Sequence, residues 1–474
     1  MARPLSLCVL AGVVTCVAAC DGGSSKGARD VQADATVEDA GDDASAADAA
    51  PRDAGPKPPL HHGDDSDAGD DAGADASMPE KPWSPGPMPW EKVPEEQVLE
   101  KCRLDPEALA AADTMLAKPW AVFRYGKLCH DYMAEGMEVR NAWSATKTLG
   151  ALTLGMVAYE TRELPKALSD QDRVDRWITG FTYNKDALIA HVLAMIAHNP
   201  NLAYGQRQMS YDTVGSVQIN TLSDVMNAAL AQDAERLGDL DAFAQKFLFD
   251  KLGMANSFWI PGNPKKVLGF GWMSDVFDMG KIGQLMLRGG KWGDERLLAS
   301  DWIYRMSHPS FEDANTGYGY LTWLNATAGW HIGLTELPDG TPVPDLAGLG
   351  AINPGPCAPV SLWNAYPHGE APDCLYGVAR SCEQDFDVGV WQAIGLGGQV
   401  IQVHRGLDMV VVGMDLTIDQ GISLELRNNA NPSGKLWDAV RPAVIKGDPK
   451  YKGDETAFCA AYGNNAYAPD LVPW

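Results

Sequence analysis

The spacing of apolar residues changes character several times along this chain. Over Pro106–Leu116, Ala and Leu recur at helical intervals, with Asp105 placed to cap the first turn and Pro106 at the first helical position. Two runs, 120–125 and 128–133, read as strands turning around Gly126. Leu149, Leu152, Leu154, Met156 and Val157 then make the stretch 148–160 apolar on most sides, as in a helix buried in a core. Residues 166–178 are charged and irregular. Further helices are predicted over 186–197, with Leu188, Val192, Leu193 and Ile196 on the apolar side, and over 214–230, 240–252, 276–287 and 300–306. Gly253 ends the third of these, and Ser274 or Asp275 caps the fourth. Residues 269–272 and 289–293 read as a loop and a turn.

Strand character returns at 317–323 and, beyond a long Pro- and Gly-rich stretch at 325–385, at 388–394, 400–404 and 409–414. A last helix is expected over 436–445. A hairpin, a helical stretch, then antiparallel strands and a terminal helix predict an α+β fold. One antiparallel sheet is built from both chain ends and flanked by helices as an α/β sandwich, with a mostly helical region inserted.

Composition divides the 474 residues into three parts. Residues 1–19 have the make-up of an export signal: Arg3, an apolar run, then Val17-Ala18-Ala19 before Cys20. Residues 20–90 are rich in Ala, Asp, Gly, Ser and Pro, and over 21–90 acidic residues outnumber Lys and Arg by 16 to 5. Such a segment buries too little apolar surface to offset its ordering entropy and reads as a tether, its ends about 45 Å apart as a flexible coil. The folded domain is expected over 91–474. A net charge of −25 without a basic patch excludes a nucleic-acid partner, and much of that charge lies in the tether.

Cysteine usage fits export. Of nine cysteines, Cys8 and Cys16 lie in the signal, and Cys102, Cys129, Cys357, Cys374, Cys382 and Cys459 remain in the domain, enough for three disulfides with 15 connectivities. From their places before the first helix and within the hairpin, Cys102 and Cys129 are the pair expected. Without a Cys-x-x-Cys pair, no metal site is expected, and neither is a cofactor.

Candidate chemistry centres on Trp143-Ser144-Ala145-Thr146-Lys147, at the head of the apolar helix. Ser144 and Lys147, three apart, share one helix face, at the positive end of the dipole. That places an amine beside a hydroxyl, one way to activate a serine nucleophile. About one Ser-x-x-Lys arises by chance in such a chain, so its neighbours in sequence order decide its meaning.

Those neighbours are Tyr211-Asp212-Thr213 with Val214-Gly215, Leu252-Gly253-Met254, Asp278 to Gly290 with Trp292, Gly317-Tyr318-Gly319 with Trp323, and Gly395-Leu396-Gly397-Gly398-Gln399. The ordered set, over 102–446, resembles the serine β-lactamase and penicillin-binding-protein superfamily, and within it class C β-lactamase-like esterases and 6-aminohexanoate-dimer hydrolases. The resemblance implies that Ser144 is acylated, that Lys147 shares in deprotonating it, and that Tyr211 relays protons. It implies an oxyanion hole from the Ser144 N–H and one N–H of Ala393, Ile394 or Gly395, with Thr213, Gly397, Gly398 and Gln399 as further substrate-binding candidates. Cys20 with Asp21 resembles a lipoprotein signal, so Cys20 is expected to carry the lipid that anchors an exported protein to a cell-envelope membrane, facing periplasm or cell surface. Plain secretion and a retained anchor are the alternatives.

Two departures narrow the chemistry. The usual Tyr-x-Asn is Tyr211-Asp212-Thr213, with Tyr204 a rival tyrosine and Tyr462-Gly463-Asn464 out of order. The usual Lys-Thr-Gly is replaced by Ala393-Ile394-Gly395, and neither His331-Ile332-Gly333 nor His404-Arg405-Gly406 falls at its place. Without the cation that binds a substrate carboxylate in the family, the expected substrate is a small ester, amide or peptide-like molecule. A β-lactamase or D-alanyl-D-alanine peptidase, a catalytically inactive binding protein of the same fold, and a surface scaffold remain open.

Overall fold

A computed structural model describes residues 90–133, 139–180, 186–197, 218–260, 267–308, 310, 318–324, 390–416 and 432–458. The expected signal, the tether up to residue 89, Cys20, Tyr204, Tyr211, Thr213, His331, the 325–385 insertion and four of the six domain cysteines lie outside the described residues.

The strands of the two larger sheets are β1 (Trp120–Arg124), β2 (Lys127–Tyr132), β3 (Arg140–Asn141), β4 (Phe258–Trp259), β5 (Trp272–Ser274), β6 (Trp323–Leu324), β7 (Val390–Gly395), β8 (Gln399–His404) and β9 (Met409–Gly413). The longer helices are α1 (Pro106–Leu116), α2 (Thr146–Thr161), α3 (Leu222–Leu230), α4 (Val276–Leu287), α5 (Ser300–Ser307) and α6 (Pro432–Gly447). Among the described residues, six strands form one antiparallel sheet in the order β2-β1-β9-β8-β7-β6. The early hairpin β1–β2 thus pairs with the late strand β9, so both ends of the domain build the sheet, as the sequence pattern predicts. Among these residues no helix is long and apolar enough to cross a membrane.

Both faces of this sheet are covered, which is why Trp120-Ala121-Val122-Phe123 and Met409-Val410-Val411-Val412 read as continuous apolar runs. Period-2 alternation sends Phe123, Ile401, Val410 and Val412 toward α4 and the helical region. Trp120, Val122, Val400 and Val411 face the other way, into a core with α1 and α6. His404 belongs to this second face: its ring stacks on Trp437 at 4.3 Å, and burial pulls its pKa down to about 3, so it stays neutral. The α1–α6 layer is pinned to β1 by Arg124, which ion-pairs with Asp448 at 2.8 Å and donates to the carbonyls of Cys102, Arg103 and Leu407.

Cys102 and Cys129 are bridged, 27 residues apart, tying the segment before α1 to β2. Loop closure of that length restricts the unfolded chain by about 3–4 kcal/mol. The Cys102→Ser/Cys129→Ser double variant is therefore expected to unfold at clearly lower urea concentration, with a denaturant slope at least as steep as that of wild type, because its unfolded chain is less compact. An unchanged midpoint would show that the bridge adds no stability.

Three local expectations give way to tertiary structure. The helix expected over 186–197 shrinks to Ile189–Leu193, because the N–H groups of Ile189 and Ala190 bond the carbonyls of Asp172 and Asp170, and Met195 turns to φ +59°. Of the strand expected over 317–323, among the described residues only Trp323 is strand: Leu321 at φ +47° makes a turn, held by Thr148 Oγ1 donating to its carbonyl at 2.8 Å. Tyr318 and Trp323 are buried against each other, edge to face at 4.7 Å, as core aromatics. Part of the loop expected at 269–272 becomes β5, the centre of a small sheet β3-β5-β4.

Candidate active site

The small sheet delivers the chain to Ser144. In β3, Arg140 and Asn141 pair with Ser274 and Met273 of β5. The next N–H, that of Ala142, donates to the Trp272 carbonyl at 2.7 Å. Asn141 Oδ1 accepts from the N–H of Trp143 at 2.8 Å and of Gly271 at 3.2 Å, fastening the turn to the segment opposite. Trp143 takes φ +48°, a left-handed conformation that a bulky residue adopts only when its surroundings impose it, at about 1–3 kcal/mol. Ser144 follows inside a single 3-10 turn, Trp143–Ala145, that runs directly into α2.

Lys147 lies in the first turn of α2, buried, with Nζ 2.8 Å from Ser144 Oγ. It also donates to the Gly269 carbonyl at 3.3 Å. Desolvation lowers its pKa from 10.5 to about 7. An appreciable share of the amine is therefore neutral near pH 7 and able to accept the serine proton. The segment that carries the Gly269 carbonyl is held in turn by Asn220, whose Oδ1 accepts from the N–H groups of Leu268 at 2.8 Å and Gly269 at 3.3 Å.

The sheet supplies the other wall. β6 pairs with β7 only at Trp391 and Gln392, so among the described residues Ala393, Ile394 and Gly395 are paired only on their β8 side. Gly395 abuts the serine turn so closely that a Cβ there would lie 2.1 Å from the Ala142 carbonyl oxygen. The hairpin beyond it needs its glycines for conformation: Gly397 and Gly398 take φ of 83° and 88°, and the Gly398 N–H closes onto the Gly395 carbonyl at 3.1 Å.

The structure thus brings together Ser144, Lys147 and the end of β7. Gln399 is buried at the base of the hairpin, its amide donating to Asp415 at 2.6 Å. Tyr211 and Thr213 lie outside the described residues. Asn220, Gly269, Arg140 and Asp415 were not singled out from the sequence; Asn141 opens the stretch that leads into Ser144, its only signal being that of an Asx residue two positions before Trp143. Among the described residues no three His, Cys, Asp or Glu side chains gather as a metal site.

No family model and no curated protein matches the chain. Solved structures do. A protein assigned as a β-lactamase from Bacteroides dorei DSM 17855 is 14% identical, with a TM-score of 0.48 over 72% of this chain and 99% of its own. A family VIII carboxylesterase is 13% identical, with a TM-score of 0.44 over 74% of this chain and 98% of its own. A protein assigned as a 6-aminohexanoate-dimer hydrolase from Bacillus anthracis is 13% identical, with a TM-score of 0.39 over 64% of this chain and 75% of its own.

Proposed function

We propose that this chain is a serine hydrolase that cleaves an ester or amide through an acyl-enzyme on Ser144, tethered to a cell-envelope membrane by a lipid on Cys20. The observation that carries the catalytic reading is the 2.8 Å contact between Ser144 Oγ and the buried, desolvated amine of Lys147. A surface lysine beside a helix cap would keep its proton at neutral pH and could not act as a base.

In the first step the Ser144 hydroxyl gives its proton to Lys147 Nζ as Oγ attacks the carbonyl carbon. The negative charge that forms on the carbonyl oxygen is met by the Ser144 N–H and an N–H from Ala393–Gly395. The ammonium returns its proton to the leaving alcohol or amine, with Tyr211 assigned the relay by the sequence resemblance. Water then repeats the sequence and frees the acid.

The substrate we assign is uncharged around its acyl group. Ala393-Ile394-Gly395 offers no side-chain cation to a carboxylate. Phe270, between the two residues that hold Lys147 and Asn141, is half-exposed, as is Ile260, whose N–H bonds the Gly271 carbonyl. These exposed apolar side chains, on and beside the segment that bonds Lys147, are why we assign an apolar acyl group.

A fluorophosphonate probe tests the assignment. The wild-type protein is expected to label at one site and Ser144→Ala not at all. Equal labelling of the two would sink it, and no labelling of either would favour an inactive binding protein or a scaffold. Turnover of nitrocefin faster than of p-nitrophenyl butyrate would favour a β-lactamase instead.

A further inference from the structure

We propose that Asp415 is a positioning residue of this site, a buried carboxylate that fixes the spacing between the Ser144 turn and the end of β7 by binding both segments at once. The inference rests on the serine hydrolase reading given above. Asp415 lies two residues beyond β9 and belongs to neither wall of the site. Its Oδ1 accepts from Gln399 Nε2 at 2.6 Å, and its own N–H donates to Gln399 Oε1 at 3.3 Å, so side chain and backbone grip the same amide. Oδ2 takes the guanidinium of Arg140. Asp415 is buried and stands at φ +55°, a conformation in which Asp is among the better tolerated side chains.

These contacts close a ring. From Gly395 the chain runs through the hairpin to Gln399, across to Asp415, across again to Arg140, and along β3 through Asn141 to Ala142, whose carbonyl abuts Gly395. The two oxyanion donors come from opposite sides of that abutment. They belong to segments some 250 residues apart in sequence, at Ser144 and at Ala393–Gly395. A charged partner bonded to both sides sets their separation more stiffly than apolar packing can, since an ion pair with paired hydrogen bonds has one preferred geometry. A displacement of about 1 Å at such a site can lower a rate about 10²-fold.

The arrangement also gives Gln399 a role other than touching substrate. Its amide is spent on Asp415, so its loss acts through the position of β7. Two variants separate this from general loosening: Asp415→Asn keeps an acceptor for Gln399 and removes the charge facing Arg140, whereas Gln399→Met keeps the Arg140–Asp415 pair and cuts the link to the hairpin.

The test is stopped-flow acylation by p-nitrophenyl butyrate across pH 5.5–9, with circular dichroism to establish folding. Wild type must first acylate at Ser144; if it does not, the hydrolase reading fails before this one is tried. Both variants are expected to lower the saturating acylation rate about 30- to 100-fold. The half-saturating ester concentration should change less than threefold, and the pH midpoint should stay near that of wild type, because Lys147 remains desolvated. A wild-type rate in folded Gln399→Met would overturn the proposal. So would a rate loss accompanied by a raised half-saturating concentration, which marks a substrate contact, or by an upward-shifted midpoint, which marks water reaching Lys147. If Asp415→Asn does not fold, Gln399→Met alone decides the matter.

Discussion

Lys147→Met is expected to abolish acylation of Ser144 and, at the same time, to stabilise the protein. The first effect follows from geometry. Lys147 Nζ lies 2.8 Å from Ser144 Oγ, the proposed nucleophile, and removing a general base at that position lowers a rate by about 10²–10⁴. The second follows from linkage. The folded pKa near 7 lies below the ordinary 10.5, so between those values the unfolded chain holds a proton that the folded chain lacks. Stability contributed by this group therefore rises with pH from about 7 to about 10.5. Below 7 the penalty for burying the amine is fully present, and above 10.5 it is gone. At about 1.4 kcal/mol per pH unit that penalty is roughly 4–5 kcal/mol. Losing the hydrogen bonds to Ser144 and Gly269 returns about 1 kcal/mol each, which leaves Met ahead by a few kcal/mol at pH 6. Urea melts of wild type and variant at pH 6 and pH 9.5 should show a gap in favour of Met that narrows as pH rises. A variant less stable than wild type at pH 6 would refute the account. The same pKa predicts that acylation by wild type rises through about pH 7 as Lys147 loses its proton.

That penalty marks the limit of what spacing could reveal. Ser144 and Lys147 on one face of a helix start is legible from their separation of three positions, yet the shift in the amine comes from burial, which depends on Gly269, Leu268 and Asn220 from two remote segments. The main sheet was readable because its central strands are apolar on both faces and each is at least five residues long. β3, β4 and β5 have two or three residues each, too few for any period to emerge, so the platform that aims Ser144 was invisible. Asp415 was unreadable for another reason. Its partners lie 16 and 275 residues away, and nothing local distinguishes a buried acidic clamp from a loop residue. Gln399 was noticed because it ends a glycine-rich turn, but the sequence suggested contact with substrate where the structure shows an amide held inside.

Gly395→Ala is the second change expected to cost most of the activity, and its reason differs from that of the neighbouring glycines. Gly397 and Gly398 have the positive φ that side chains avoid, whereas Gly395 sits in an ordinary strand conformation and is there for space. A Cβ would meet the Ala142 carbonyl oxygen at 2.1 Å and its carbon at 3.1 Å. Ala142 cannot yield easily, because its N–H is bonded to Trp272 and its carbonyl accepts from the Ala145 N–H at 3.1 Å. β7 must then retreat by about 1 Å to restore ordinary contact, and overpacking of this kind costs about 1–3 kcal/mol. The sheet can absorb that, since β7 keeps its β8 partner from Val390 to Gly395. The proposed oxyanion hole cannot: one donor moves away from the other while Ser144 and Lys147 stay paired, and the loss of one such donor lowers a rate about 10²–10³-fold. The expected signature is a folded protein whose acylation keeps its midpoint near pH 7 and loses two to three orders of magnitude at saturation. Acylation at the wild-type rate would mean that the end of β7 plays no part in stabilising the transition state. A midpoint moved toward 10 would mean that the strand serves instead to keep water from Lys147.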